Sequence, residues 1–403
     1  MAKREKWIKP RHSIIQAIAK VILRPVCKLK YGITIEKFKE QEDRPYLVLY
    51  NHQTAFDQFF VGISMKGPAF YVATEDIFSM GFVSSLLRFA VAPIPIKKQA
   101  TDVGAVMNCI RVAKEGGTIV IAPEGNRTYS GRTEYINPAI APLARKINLP
   151  VVLYRIEGGY GVQPRWSDKT RKGKMRSYVS EVISPEEISA MTDAELVERI
   201  RTGLYIDEAA EGGIFRSGNR AEHIERCAYV CPFCGLSEFE SHGNEITCKT
   251  CGRTMTYGED KRITGKGFDF PFEFYGNWYD YQSDFVNSLD LSEYEKSPIF
   301  CDEVTVKEVI LRKNKIMFRE KSAFALYGNR ITADEGTESE WVIPFSELSA
   351  VSVLGRNKLN IYHGKKVYQI TGNKSFNALK YVNIYYRWKN ISEGNENGKF
   401  LGL

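Results

Sequence analysis

Hydrophobic positions alternate between two periodicities over the first half of the chain. Short β-rich runs predict five strands, at Tyr46–Tyr50, Ala69–Ala73, Thr118–Ala122, Val151–Ile156 and Ser177–Ile183. Segments with helical spacing lie between them, at Asp57–Met65, Ser79–Ala90, Thr101–Glu115 and Pro138–Ile147. This alternation predicts an α/β layer domain with a largely parallel central sheet. Two more helices are expected after Ser184 and Thr192, because each is followed three residues later by a glutamate, as in a capping box.

The N-terminal segment combines helical periodicity with most of the charge. Ser13–Leu29 places isoleucine, valine and leucine on one side and Lys20, Arg24 and Lys28 on the other, with Pro25 expected to kink or split the helix. Residues 1–30 hold nine lysine or arginine residues and one glutamate, which accounts for the net charge of +8. A basic amphipathic helix favours an anionic membrane surface. The alternatives are a helix packed on the domain behind it and a solvated basic tail.

The second half of the chain has a different composition. A glycine-rich break near Gly212–Gly218 precedes a cysteine module, and Phe268, Phe270, Phe272 and Phe274 alternate as in a strand with one apolar face. Several strand-like runs follow, closed by a predicted helix at Phe376–Trp388. The order of elements resembles a pleckstrin-homology (PH) or GRAM-type domain. We therefore expect a membrane-contact segment at 1–40, a layer domain at 41–212, the cysteine module with its aromatic extension at 225–290, and a β-rich domain at 298–392.

The cysteine module has the spacing of a metal site. Two pairs, each separated by two residues and followed by glycine, supply four candidate ligands: Cys231, Cys234, Cys248 and Cys251. Four thiolates would close the coordination sphere, so we expect a structural Zn²⁺ in a zinc ribbon. The segment Cys227–Gly258 holds two basic and three acidic residues, and its net charge of −1 argues against nucleic-acid binding.

A histidine and an aspartate follow the first predicted strand. His52 stands at the carboxyl end of that strand, where open α/β sheets build their sites, and Asp57 can fold back onto the imidazole. A His–Asp hydrogen bond fixes the tautomer and strengthens the base. The chain has no Gly-x-Ser-x-Gly nucleophile motif, so the pair suits a substrate hydroxyl as the attacking group. A structural His–Asp contact is the alternative.

Candidate phosphate ligands follow later strands. After Thr118–Ala122 come Glu124, Gly125, Arg127 and Thr128, in which glycine permits a tight turn, arginine offers a bidentate fork and threonine adds a hydroxyl. Between the two motifs, the apolar run Ala92–Ile96 is predicted to be a strand that ends in Lys97 and Lys98.

Together these residues resemble the glycerolipid (lysophosphatidate-type) acyltransferase family over about residues 40–185. That family has a His and an Asp separated by four residues in its first motif, as here in His52 and Asp57, and its third motif matches Ala122 to Thr128. The proline-led strand of its fourth motif matches Leu149 to Val152. Two departures are lysines instead of arginine at Lys97 and Lys98, and Asn126 instead of the common threonine.

The resemblance implies an O-acyltransferase. His52 would be the general base and Asp57 its orienting partner, while Glu124, Gly125 and Arg127 would hold the acceptor phosphate. Acyl-CoA or acyl-carrier protein would be the donor and a lysophospholipid, above all lysophosphatidate, the acceptor in phospholipid biosynthesis. With no run of 18 apolar residues and no secretory signal, we expect a peripheral protein on the cytoplasmic face of an anionic membrane. The alternative is a nucleic-acid- or protein-binding zinc-ribbon protein with an inactive acyltransferase-like domain.

Overall fold

A seven-stranded sheet organises the first half of the chain. The computed structural model describes residues 6–42, 44–74, 77–78, 82–96, 102–210, 212–310 and 314–402. The strands are β1 (Ile33–Ile35), β2 (Leu47–Tyr50), β3 (Ala69–Thr74), β4 (Ile94–Ile96), β5 (Thr118–Ile121), β6 (Val151–Glu157) and β7 (Met175–Ile183). Their order is β1-β7-β6-β2-β5-β3-β4, and every pair is parallel except β6–β7. This confirms the predicted mixed α/β fold with a largely parallel sheet.

Helices cover both faces of this sheet. They are α1 (Pro10–Tyr31), α2 (Asp57–Ser64), α3 (Phe82–Ala90), α4 (Val103–Lys114), α5 (Ile140–Ile147), α6 (Gly159–Val162), α7 (Pro185–Ala190) and α8 (Asp193–Leu204). Strand β2 serves both cores because its side chains alternate: Val48 and Tyr50 pack with α1 and α2, whereas Leu47 and Leu49 pack with α4, α5 and α8. The carboxyl end of β2 is thereby held rigidly between two layers.

Local sequence signals place several helix ends. Ser184 and Thr192 each accept a hydrogen bond from the glutamate N–H three residues on, and each glutamate side chain bonds back, so both predicted capping boxes form. Pro25 lies inside α1, which nevertheless continues unbroken to Tyr31, so the helix is not split. Gly32 then ends it in a left-handed conformation with φ +62°.

The cysteine module is a small antiparallel unit. It contains β8 (Val230–Cys231), β9 (Gly235–Leu236), β10 (Phe239–His242), β11 (Glu245–Cys248), β12 (Thr254–Tyr257) and β13 (Ile263–Gly265). The predicted strand from Phe268 to Phe274 is wrong: residues 266–274 are irregular apart from a bridge between Phe274 and Arg262, and helix α9 (Tyr275–Ser288) follows. Phe270 packs edge-on against Phe272 and Trp278, which buries the aromatic rings without strand pairing.

The C-terminal part is a second seven-stranded sheet, wholly antiparallel. Its strands are β14 (Phe300–Glu308), β15 (Ile316–Leu326), β16 (Arg330–Ala333), β17 (Trp341–Pro344), β18 (Leu348–Leu354), β19 (Lys358–His363) and β20 (Lys366–Thr371). Their order is β17-β16-β15-β14-β20-β19-β18, and helix α10 (Ala378–Ser392) packs on β18 and β19. The predicted β-rich end with a closing helix is present. Its assignment as a PH or GRAM-type domain stays a prediction, as do the domain boundaries.

One hydrophobic core joins the two halves. Tyr129 from the loop after β5, Tyr160 of α6 and Trp166 from the loop after α6 belong to the same buried cluster as the cysteine module and the C-terminal sheet. Trp166 is fully buried, with its ring 5.2 Å from that of Tyr275. The C-terminal elements therefore pack against the loops at the carboxyl end of the first sheet.

Candidate active site

The predicted His–Asp pair forms at the end of β2. Asp57 opens α2, and its Oδ2 lies 2.9 Å from Nδ1 of His52. The same carboxylate accepts hydrogen bonds from the N–H groups of Gln53 at 2.6 Å and Thr54 at 2.8 Å, and from the Thr54 hydroxyl at 2.6 Å. These four bonds fix Asp57, which is fully buried. An acceptor held on Nδ1 favours the tautomer that leaves Nε2 unprotonated.

The imidazole is kept neutral. Burial lowers the pKa of His52 from its ordinary value of 6.5, and the hydrogen bond and negative charge of Asp57 oppose that shift. The positive charges of Arg127 and Arg165 lower the pKa further. Within the described residues, no side chain or backbone group pairs with Nε2. His52 is thus a neutral base with its second nitrogen available.

Glu124 ties the loop after β5 to this pair. Its Oε1 accepts from the N–H of His52 at 2.7 Å, and its Oε2 accepts from the N–H of Glu134 at 2.8 Å. Burial raises the pKa of Glu124 well above its ordinary value, while these two N–H groups act in the opposite direction. The side chain thus bonds the backbone at both ends, and neither bond involves Arg127.

The rest of this loop is shaped by Gly125 and Thr128. Gly125 has φ +71°, which L side chains rarely adopt, although a Cβ there would meet no atom within 4 Å. The N–H of Thr128 donates to the carbonyl of His52 at 3.2 Å, and its hydroxyl donates to Oε1 of Glu134 at 2.8 Å. The Thr128 hydroxyl is therefore engaged in hydrogen bonding within the loop.

Arg127 is the cation of this loop. It is 9% exposed, and its Nη1 is buried without a hydrogen-bond partner. In the described part of the chain it forms no ion pair. Lys97 and Lys98, the other predicted phosphate ligands, lie outside the described residues, although β4 leads to them as predicted.

Comparisons with known proteins match the same segment of the chain that carries this site. The Acyltransferase family model matches residues 32–156. This segment runs from just before β1 into β6 and includes both His52 and Arg127.

Two curated relatives are chloroplastic 1-acyl-sn-glycerol-3-phosphate acyltransferases. The chain is 23% identical to the Brassica napus protein over 127 residues, 31% of this chain and 37% of that protein. It is 23% identical to the Arabidopsis thaliana protein over 160 residues, 39% of this chain and 44% of that protein. The chain thus spans less than half the length of these relatives.

A solved structure also matches. It is the crystal structure of the 1-acyl-sn-glycerophosphate acyltransferase of Thermotoga maritima, at 22% identity and a TM-score of 0.41. The match covers 51% of this chain and 80% of that one.

Two arginines beside the motif were not predicted from the sequence. Arg165 follows α6, and Arg356 lies in the turn between β18 and β19. Each stands outside the acyltransferase-family segment, and no motif marks either one. Only the fold brings them to the loop of Arg127.

The four predicted metal ligands also converge. The Sγ atoms of Cys231, Cys234, Cys248 and Cys251 all lie within 4.8 Å of one another. The Cys234–Cys248 separation is 3.6 Å and the Cys231–Cys251 separation is 3.9 Å. Tetrahedral Zn²⁺ with bonds of about 2.3 Å sets sulfurs roughly 3.8 Å apart. The cluster fits such an ion.

Proposed function

We propose that this protein is an O-acyltransferase that moves a fatty acyl group from an acyl thioester to the free hydroxyl of a lysophospholipid. The observation that carries the proposal is the neutral His52, fixed on Asp57 and open at Nε2, beside the unpaired Arg127. The acyltransferase-family match over residues 32–156 supports it.

The chemistry follows from these groups. His52 Nε2 takes the proton of the acceptor hydroxyl as its oxygen attacks the thioester carbonyl carbon. The new C–O bond forms, the C–S bond breaks, and the imidazolium returns the proton to the leaving thiolate. Asp57 holds the imidazole and stabilises its charged form. General-base catalysis of this kind contributes about 10²–10⁴ in rate.

The acceptor class follows from charge and from the relatives. Arg127 offers buried donors to a phosphate, and both curated relatives are named for acylating 1-acyl-sn-glycerol 3-phosphate. We infer a lysophosphatidate acceptor in phospholipid biosynthesis, with acyl-CoA or acyl-carrier protein as donor. Glu124, Gly125 and Thr128 would shape the loop around the phosphate. Lys97 and Lys98 remain candidate phosphate ligands on the strength of the sequence.

The membrane contact is inferred from α1 and α3. Among the described residues, no helix has both the length and the hydropathy to cross a bilayer. Helix α1 nevertheless turns polar residues toward the protein: the Gln16 amide bonds the backbone of Ala69, and Lys20 Nζ donates to carbonyl oxygens of Met65 and Gly67. Large apolar side chains face outward instead, namely Ile14, Ile18, Val21, Ile22 and Leu29 of α1 and Phe82, Leu86 and Phe89 of α3.

This arrangement favours a lipid surface over a helix that merely packs on the domain. Lys20 is bound to the protein and is therefore not free to contact lipid, whereas Arg24 and Lys28 are exposed. Lys3 and Arg4, also part of the predicted basic segment, lie outside the described residues. We propose that the protein sits peripherally on an anionic membrane through these two helices.

The function is tested by supplying purified protein with radiolabelled acyl-CoA or acyl-carrier protein and a panel of lysolipid acceptors. We expect ester formation with lysophosphatidate, and a loss of at least about a hundredfold in His52→Ala, whose base is absent. Asp57→Asn should also be severe, because it favours the wrong tautomer. Melting curves serve as the folding control. Full activity in folded His52→Ala would refute the proposal.

A further inference from the structure

The β18–β19 turn of the C-terminal sheet lies against the loop that carries Arg127. The hydroxyl of Tyr129 donates to the carbonyl of Arg356 at 2.6 Å, across 227 positions of sequence. Nε of Arg165 donates to the carbonyl of Gly355 at 2.8 Å. The turn and the motif loop therefore meet through well-formed hydrogen bonds.

Arg165 bridges the two segments. Its Nη1 donates to the carbonyl of Arg127 at 2.7 Å, while its Nη2 lies 3.3 Å from both the side-chain oxygen of Asn126 and the carbonyl of Val353. The residue is 2% exposed, and its guanidinium lies 4.1 Å from the centre of the Tyr129 ring. One buried cation thus holds the loop after β5 and the turn after β18 in a fixed relation.

The result is a cluster of positive charge next to His52. Burial, then the charge of Arg165, then that of Arg356 lower the pKa of Arg127 to about 10. Within the described residues, Arg356 forms one ion pair, with Asp168 at 3.5 Å, but Arg226 already holds Asp168 with two bonds of 2.7 and 3.1 Å. The positive charges of this cluster therefore exceed the carboxylates paired with them.

The cluster also contains unsatisfied hydrogen-bond donors. Among the residues that the structure describes, Nη1 of Arg127 and Nε of Arg356 are buried and have no hydrogen-bond partner. Unpaired buried donors are unfavourable, so an anion that accepts from both would stabilise the arrangement. The Arg356 side chain is 36% exposed, so an anion can reach it from the solvent.

We propose that Arg356 binds the acceptor's phosphate together with Arg127, so that the C-terminal domain completes the acceptor site. Arg165 is the positioning residue that aligns the other two. The inference rests on the proposed function and names its acceptor class: a phosphomonoester, which carries about −1.5 to −2 at neutral pH. A phosphodiester, with a single negative charge, would use the extra arginine less.

The kinetic test compares Arg356→Ala with Lys358→Ala in the full chain. Lys358 is exposed on the same hairpin and changes the net charge equally, so it controls for long-range electrostatics. With lysophosphatidate, we expect Arg356→Ala to raise KM about tenfold or more and to change kcat less than about threefold, because the lost contact is made before and during the reaction. Arg356→Lys should lie in between, since it keeps the charge and loses the fork.

A binding measurement makes the result independent of turnover. Inorganic phosphate titrated into wild-type protein should raise the melting temperature, and the half-saturating concentration should increase about tenfold in Arg356→Ala. The KM for a phosphodiester lysolipid should rise less in Arg356→Ala than the KM for lysophosphatidate does.

Equal KM values for lysophosphatidate in the two alanine variants would overturn the proposal, as would unchanged phosphate affinity. A variant that loses kcat at constant KM would also overturn it. If wild-type protein acylates no acceptor, the proposed function fails, and the phosphate titration still decides whether Arg356 binds an anion.

Discussion

At His52, burial and hydrogen bonding act on one pKa in opposite directions. Burial prevails, so the pKa lies below 6.5 and the imidazole is mostly neutral at pH 6.5 and above. We predict that kcat/KM falls on the acid side with a midpoint below pH 6.5, as His52 gains a proton. The measurement is a pH–rate profile of the free enzyme.

The control for this profile is the acceptor itself. A phosphomonoester loses its second proton near pH 6, so its own titration would overlap that of His52. A phosphodiester acceptor has no such step and isolates the histidine. An acid limb centred above pH 6.5 with that acceptor would contradict a neutral, buried base.

Sequence reasoning found the groups whose chemistry has local spacing. His52 and Asp57 are five positions apart, so strand, turn and helix bring them together. The motif spacing predicts that Glu124 belongs to the site, but it does not predict the hydrogen-bond partners of this residue. Its bonds to the N–H groups of His52 and Glu134 depend on how two loops meet. Arg165 and Arg356 are 191 positions apart, and nothing in a local pattern links them.

The first half of helix α1 is amphipathic in an unusual sense, because its polar side chains His12, Gln16 and Lys20 face the protein. Further along the helix, Arg24 and Lys28 are exposed. Replacing Ile18 and Val21 together with serine should weaken vesicle binding by about tenfold or more, since each apolar side chain buried in lipid contributes on the order of 1–2 kcal/mol. These side chains are 57% and 76% exposed, so the melting temperature should not change. Co-sedimentation with anionic vesicles provides the measurement.

Val342→Ser is the matched control, since Val342 is 43% exposed on the C-terminal sheet. Equal binding of this variant and the α1 double variant would place the lipid contact elsewhere. Salt dependence distinguishes the electrostatic from the apolar contribution. Added salt screens the attraction between the basic residues and anionic lipid, and it does not weaken the apolar contact.

Two sets of predicted elements show what a local sequence pattern can and cannot determine. The capping boxes at Ser184 and Thr192 are complete local signals, and both helices begin where predicted. In the aromatic stretch before α9, the alternation of the phenylalanines predicts a strand. Period two shows which residues share a side of an extended chain, but it does not supply a partner strand, and here the rings pack on one another and on Trp278.

At the scale of the whole molecule, the cysteine cluster lies in the small module that comes between the two seven-stranded sheets in sequence. We propose that it holds one structural Zn²⁺, since four thiolates leave no open position for substrate. Metal analysis should give about one zinc per chain. Cys248→Ser should lose the metal and destabilise the part of the chain after Gly212, because metal binding and folding are coupled in such modules.

Cys301→Ser is the control, since Cys301 is exposed and lies outside the cluster. It should keep both the metal and the melting temperature. A folded, zinc-free protein that had lost only its turnover would instead indicate a catalytic metal.

The bond between Tyr129 and Arg356 has a consequence for the order of biosynthesis. Chains fold from the N-terminus as the ribosome releases them, so β2, β5 and the His–Asp pair can assemble while the C-terminal sheet is still unmade. Arg356 is synthesised 304 positions after His52. On the proposal made above, a nascent or truncated chain that stops before Arg356 would carry a complete base and an incomplete acceptor site. Full affinity would appear only once the β18–β19 turn has been synthesised and has packed against the loop of Arg127.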